Sequence, residues 1–130
     1  VHPCEQEIKF LDIKPKSYII RMERVRYADD IPVVFEVTAI PEKIIKSFKK
    51  EAITKHFFKT LTDHGFVIGK SQQTISASNA NEMTADYLAI SRGHAVLTLA
   101  QVSYFENGMP FEYVRSQYVG ERFEFYLENK

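Results

Sequence analysis

The sequence predicts one α+β domain built on an antiparallel sheet. Two strand pairs, each closed by a short turn, read as β-hairpins, over 17–28 with 33–40 and over 95–106 with 110–119, and hairpin strands are antiparallel by construction. Helical stretches fall between these pairs rather than alternating with single strands, which favours α+β over a doubly wound sheet. A length of 130 residues with 45% hydrophobic content suits a single core.

The charge balance narrows the function classes. Seventeen basic and seventeen acidic residues give zero net charge. A stand-alone nucleic-acid binder carries a basic excess, so this chain is not expected to bind DNA or RNA by itself. A single cysteine, Cys4, allows no internal disulfide, and no Cys/His pair has metal-ligand spacing. No metal or cofactor is therefore expected, and the cysteine usage fits a reducing cytoplasm. No apolar run approaches the ~20 residues of a membrane span. The chain opens on Val-His-Pro rather than Met, which leads to the expectation that it is a fragment of a longer protein.

Each element has its own signal. Ile8 and Leu11, with Cys4 loosely in phase, predict a short amphipathic helix over 3–13, with Pro3 in its first turn. The β-formers of SYIIRMERVRYA predict a strand, and ADDIP a turn into VVFEVTAI. PEKIIKSF reads as a short helix. The clearest helix is predicted over 50–64, where Ile53, Phe57 and Leu61 repeat every four residues and Gly65 follows as a left-handed cap. A strand over 66–77 follows, and then a helix capped by Asn79 or Asn81 and running to about Ile90. Asn107-Gly108 is the strongest hairpin-turn signal in the chain. A final strand is predicted from Arg122 to Leu127. ADDIPVVFE and ENGMPFEYV resemble each other, which predicts two similar hairpins.

Polar residues on strand faces point to a site. Side chains alternate along a strand, so Arg24 and Arg26 share a face that begins apolar at Tyr18, Ile20 and Met22. The two arginines lie ~7 Å apart along the strand. A three-residue turn, Asp29-Asp30-Ile31, pairs Arg24 with Glu36 on that face. A two-residue turn moves Glu36 to the opposite face, because a one-residue slip inverts every side chain. In the second hairpin Glu112, Val114, Ser116 and Tyr118 share a face. Paired guanidinium forks suit a phosphate or carboxylate; the alternative is a structural Arg24–Glu36 ion pair.

No catalytic constellation emerges. His2, His56, His64 and His94 lack metal-binding spacing, no serine sits in a G-x-S-x-G context, and there is no P-loop or G-x-G-x-x-G. Binding is expected rather than chemistry.

The run IIRMERVRYADDIPVVFEVTAIPE resembles the opening hairpin of the UTRA domain, the effector-binding module of HutC-like GntR-type transcriptional regulators. FFKTLTDHGF is similar to that family's helix ending in Gly. QTISASNANEMTADYLAISRGHAVLTLAQVSYFENGMPFEYVRSQYVGERFEF resembles its closing strand, helix and hairpin, with the G-x-P-x-E-Y element. The resemblance covers nearly the whole chain. It implies a chorismate-lyase-like α+β fold, a homodimer, a small-molecule pocket in each subunit, and an N-terminal winged helix-turn-helix domain absent from this chain. The family's first strand and preceding loop are also expected to be missing here.

By the same resemblance, Arg24 and Arg26 match paired arginines that hold the anionic group of a sugar-phosphate effector. Glu36 matches a carboxylate on the paired strand, and Glu112 and Tyr118 match pocket residues of the second hairpin. His56 and Phe58 stand where many members have Ser and Tyr. The function implied is that of an effector-sensing domain of a cytoplasmic repressor, touching DNA only through the absent domain. The alternatives are a chorismate-lyase-like enzyme acting on a carboxylated ring and a dimerisation module with a vestigial pocket.

Overall fold

The computed structural model describes residues 1–129. Helix α1 (Glu5–Leu11) precedes strands β1 (Ile19–Ala28) and β2 (Ile31–Pro41). Short helices α2 (Glu42–Ile45), α3 (Lys50–Thr54) and α4 (Phe57–Asp63) follow. Then come β3 (Ile68–Asn79), α5 (Glu82–Leu88), β4 (Ala95–Phe105) and β5 (Pro110–Val119). The five strands form one antiparallel sheet in the order β1-β2-β5-β4-β3, so the α+β expectation is met. The second strand of one hairpin, β2, is the neighbour of the second strand of the other, β5.

Two compact units divide the chain. The first comprises Val1–Met22, Thr38–Gln73 and Gln101–Val114; the second comprises Glu23–Val37, Thr74–Ala100 and Arg115–Lys130.

In the first unit Ile40, Ile45, Leu61 and Phe111 are almost fully buried, and Ile44, Ile53, Phe57 and Phe105 complete the cluster. Each such side chain contributes about 1.5–3 kcal/mol through burial. Phe105 and Phe111 stack at 4.4 Å. The expected helix over 50–64 is broken: His56 has φ −136°, and α3 and α4 flank it. Thr54 and the His56-Phe57-Phe58 run are weak helix formers. The Lys55 amide closes α3 on the Glu51 carbonyl, and the Thr60 amide opens α4 on the His56 carbonyl. The predicted apolar stripe survives the break, since Ile53, Phe57 and Leu61 are all buried. Gly65 (φ +86°) ends α4 as expected, with the Phe66 amide donating to the Leu61 carbonyl.

Helix α1 starts later than expected. Pro3 lies outside it, because Cys4 is the N-cap and its amide donates to Glu7 Oε1 at 2.8 Å. The same carboxylate accepts Arg21 Nε at 2.9 Å and Arg21 Nη2 at 2.6 Å. Glu7 is buried, so one side chain both caps α1 and ties it to β1. Gly69 allows a close approach: a Cβ there would lie 2.8 Å from the Phe105 carbonyl oxygen.

In the second unit Phe35, Leu88, Val96 and Val119 form the core with Ala80 and Ala85, and Val25, Val37 and Ile90 pack against it. Asn81 caps α5, accepting the Thr84 amide at 2.9 Å. The helix stops at Leu88 because Ala89 turns left-handed (φ 54°).

One alternative and one expectation fall in this unit. The first hairpin turn has two residues, Asp29 and Asp30, both with positive φ (51° and 65°), and Ile31 already belongs to β2. Consecutive left-handed residues define a type I′ turn, the tightest hairpin closure. The predicted strand at the end of the chain does not form either. Gly120–Arg122 make one 3-10 turn and 123–129 carry no regular element. Arg122 Nη1 donates to the Pro32 carbonyl at 3.1 Å, and the Phe123 ring stacks on Tyr118 at 3.9 Å. Those contacts hold the start of the segment, while Tyr126 and Leu127 are exposed.

Glu7 makes stability pH-dependent. Burial pushes its carboxyl up, but the Arg21 hydrogen bonds and the Cys4 amide outweigh burial and hold it below its ordinary value near 4.5. A carboxyl depressed on folding stabilises above its unfolded value, and that stability is lost as pH falls through the folded value. Glu7→Gln is expected to cost about 1–2 kcal/mol at pH 7 in urea unfolding, discounted because Arg21 is partly exposed. The difference from wild type should begin to shrink below pH 4.5.

Candidate functional site

The second unit holds Arg24 and Arg26 on β1, Glu36 on β2 and Tyr118 on β5. Arg26 Nη2 lies 3.6 Å from Glu36 Oε1, and Ser116 Oγ donates to Glu36 Oε2 at 3.4 Å. Arg26 is thus in ion-pair contact with Glu36, the carboxylate that a three-residue turn would have set opposite Arg24. A regular two-residue turn would put Arg26 and Glu36 on opposite faces. The two side chains nevertheless meet. Burial does not alternate strictly along β2, where Val34 and Phe35, and again Thr38 to Pro41, are buried in succession.

The pair is solvated. The Arg26 side chain is 57% exposed and that of Glu36 is 18% exposed. At 3.6 Å the contact is an ion pair without a hydrogen bond. Arg24 is half-buried on the same strand face. Tyr118 is half-buried, with its ring against Phe123. Two guanidiniums beside a carboxylate, a serine hydroxyl and a phenol can bind an anion together with hydroxyl groups.

The first unit holds His56, Phe58 and Glu112. His56 sits at the N-cap of α4. The half-exposed Phe58 ring meets Phe111 edge-on at 5.6 Å and Phe57 at 6.0 Å. Glu112 is buried on β5, between the buried Phe111 and Tyr113.

His56 also lines an open hollow of about 680 Å³ with Lys49, Lys55 and Lys59, and with Glu51 and Asp63 as counter-charges. The lysines were not singled out in the sequence. The available signal was spacing: Lys55 and Lys59 are four residues apart and in phase with Glu51 and Asp63, which puts them on one helical face. A hollow of about 750 Å³ in the second unit is lined by Asn81, Glu82, Met83, Asp86 and Tyr87, and its carboxylates disfavour an anion. Among the described residues no group of three His, Cys, Asp or Glu side chains is placed to hold a metal.

The profile of the UTRA domain family matches residues 1–124. The chain is 32% identical over 114 residues to the HTH-type transcriptional repressor NagR of Bacillus subtilis, covering 84% of this chain and 45% of that protein. A crystal structure of a GntR-family transcriptional regulator from Enterococcus faecalis superposes with a TM-score of 0.93 at 54% identity, covering 99% of this chain and 94% of the other. The effector domain of PhnF from Mycobacterium smegmatis shares the fold at 20% identity, with a TM-score of 0.80, over 100% of this chain and 82% of that one. The chain spans about half the length of the curated relatives it matches.

The exposure of the Arg26–Glu36 pair sets its structural worth. Glu36→Gln is expected to change unfolding free energy by less than about 1 kcal/mol, the scale of a solvated ion pair. A loss of several kcal/mol in urea titration would make the pair a structural clasp.

Proposed function

The chain belongs to the UTRA domain family, and from that premise we propose that it is the effector-binding domain of a HutC-like GntR-type transcriptional regulator that senses a small anionic metabolite, a sugar phosphate in our reading. The observation that carries the proposal is the pair of arginines on one face of β1, of which Arg26 meets Glu36 only through a solvated 3.6 Å contact. A phosphate oxygen accepts charge-assisted hydrogen bonds worth about 1.5–3 kcal/mol each from such groups.

In the second unit Arg24 and Arg26 take the anion, while Glu36 and Tyr118 take hydroxyl groups or the ring face of the ligand. In the first unit His56, Phe58 and Glu112 are the assigned effector contacts. The complete regulator is a cytoplasmic homodimeric repressor whose N-terminal winged helix-turn-helix domain reads DNA. Effector binding changes operator affinity by favouring one arrangement of the dimer, which requires a difference in affinity between the two states and no turnover. The regulatory names of the relatives support this reading over an enzymatic one.

Mass spectrometry of ligand retained on purification, followed by calorimetry with a panel of sugar phosphates, tests the assignment. Arg24→Ala and Arg26→Ala should each weaken binding by ~1.5–3 kcal/mol with little change in melting temperature. Unchanged binding by the double variant would leave the arginines a structural role. Conversion of the bound ligand, or operator affinity indifferent to it, would overturn the regulatory reading.

A further inference from the structure

The four residues that follow β5 each meet a different residue of the second unit. Gly120 passes so close to β4 that a Cβ there would lie 2.9 Å from the Ala95 carbonyl oxygen. Glu121 Oε1 lies 3.4 Å from His94 Nε2. Arg122 Nη1 donates to the Pro32 carbonyl near the start of β2. Phe123 then lays its ring on Tyr118, with centroids 3.9 Å apart and planes 26° from parallel. Phe125, Tyr126 and Leu127, which follow, are exposed. Of the three aromatic rings in this segment, the one at 123 is placed by the turn before it.

Tyr118 is held by its ring. Its hydroxyl makes no hydrogen bond with any described residue, whereas Tyr104 commits its hydroxyl to Gln72 at 2.8 Å and Tyr113 directs its own to Gln6 at 3.4 Å. A tyrosine that is partly buried ordinarily finds a partner for its O–H. A stacked ring with an uncommitted hydroxyl is oriented without using the group that can bind a ligand. The location fits that use. Tyr118 stands two residues along β5 from Ser116, so the two share a face ~7 Å apart, and Ser116 donates to Glu36, the carboxylate that Arg26 contacts.

We propose that Phe123 is a positioning residue for effector binding: by stacking on Tyr118 it fixes the phenol so that the hydroxyl, not the ring face, meets the ligand. The proposal rests on the effector role given to Tyr118 above, and it adds to the site a residue that lies outside the sheet. Phe123 takes one face of the Tyr118 ring, which leaves at most one for a flat aromatic ligand. What Tyr118 offers freely is an O–H, which suits the hydroxyl groups of a sugar. Without Phe123 the phenol is free to rotate, and ordering it on binding lowers affinity ~2–10-fold, the effect of immobilising one side chain.

Calorimetry with glucose 6-phosphate, fructose 6-phosphate and ribose 5-phosphate tests the proposal, using whichever binds the wild-type chain most tightly. Phe123→Ala should weaken that binding ~2–10-fold with unchanged circular dichroism. Phe123→Leu should do the same, because it keeps apolar bulk without a flat ring, and Phe123→Tyr should keep wild-type affinity. Tyr118→Phe should lose affinity on its own account. In that background Phe123→Ala should cost nothing further, since no hydroxyl is left to place. Tyr126→Ser with Leu127→Ser, in the exposed segment beyond, should bind like wild type. Phe123→Ala and Phe123→Leu variants that bind like wild type would overturn the positioning role and leave the sugar-phosphate reading standing. So would a Phe123→Ala loss of equal size with and without the Tyr118 hydroxyl, or a comparable loss in the Tyr126/Leu127 variant. A wild-type chain that binds none of the three sugar phosphates would overturn that reading, and this inference with it.

Discussion

Strand β5 has hydrogen-bonded neighbours on both sides, β2 and β4, and the order of the whole sheet is set from it. A middle strand cannot leave backbone groups to solvent, so its polar side chains must find partners too. Yet β5 keeps Glu112 and Ser116 buried beside Phe111, Tyr113 and Val119. Each unpartnered polar group in such a place would cost about 1–3 kcal/mol. No buried side-chain polar atom among the described residues lacks a partner, and Ser116 is satisfied by Glu36. Stability alone would be served as well by apolar residues at these positions. The retention of a carboxylate and a hydroxyl on the middle strand is what a binding role would call for.

The elements legible in the sequence were those whose signal is local. The alternation of β1 and β2, the Gly65 cap and the Asn81 cap depend on residues within a turn of each other. The errors arose where two readings differ by a non-local contact. Asp29-Asp30-Ile31 looks like a three-residue turn until β2 claims Ile31 and both aspartates turn left-handed. The 50–64 stripe is a true apolar face, but weak local propensity around His56 lets the chain break without moving Ile53, Phe57 or Leu61 from the core. RFEFYL has the composition of a strand, and composition cannot supply a neighbour to pair with.

The site was legible to the same extent. The period of two put Arg24 and Arg26 on one face, and that inference needs no register. Which arginine meets Glu36 does need it. The two-residue turn, read alone, denied the contact, yet Arg26 reaches Glu36 at 3.6 Å. Lys55 and Lys59 stand four residues apart, in phase with Glu51 and Asp63, so a helical wheel over 50–64 gathers most of the lining of that hollow.

Two arginine–glutamate pairs on β1 show how magnitude separates structure from binding. Arg21 meets Glu7 through two hydrogen bonds, the shorter 2.6 Å, with the carboxylate buried and its pKa held down. An anion competing for Arg21 would leave the buried Glu7 carboxylate with the Cys4 amide alone, a loss of about 1–2 kcal/mol. Arg26 meets Glu36 at 3.6 Å with most of its own side chain in water. Releasing it costs less than about 1 kcal/mol, below the gain of even one charge-assisted bond to a phosphate oxygen. The arginine whose partner is easily exchanged is the one suited to a ligand that comes and goes, and the arginine locked to Glu7 is the one suited to holding α1 in place.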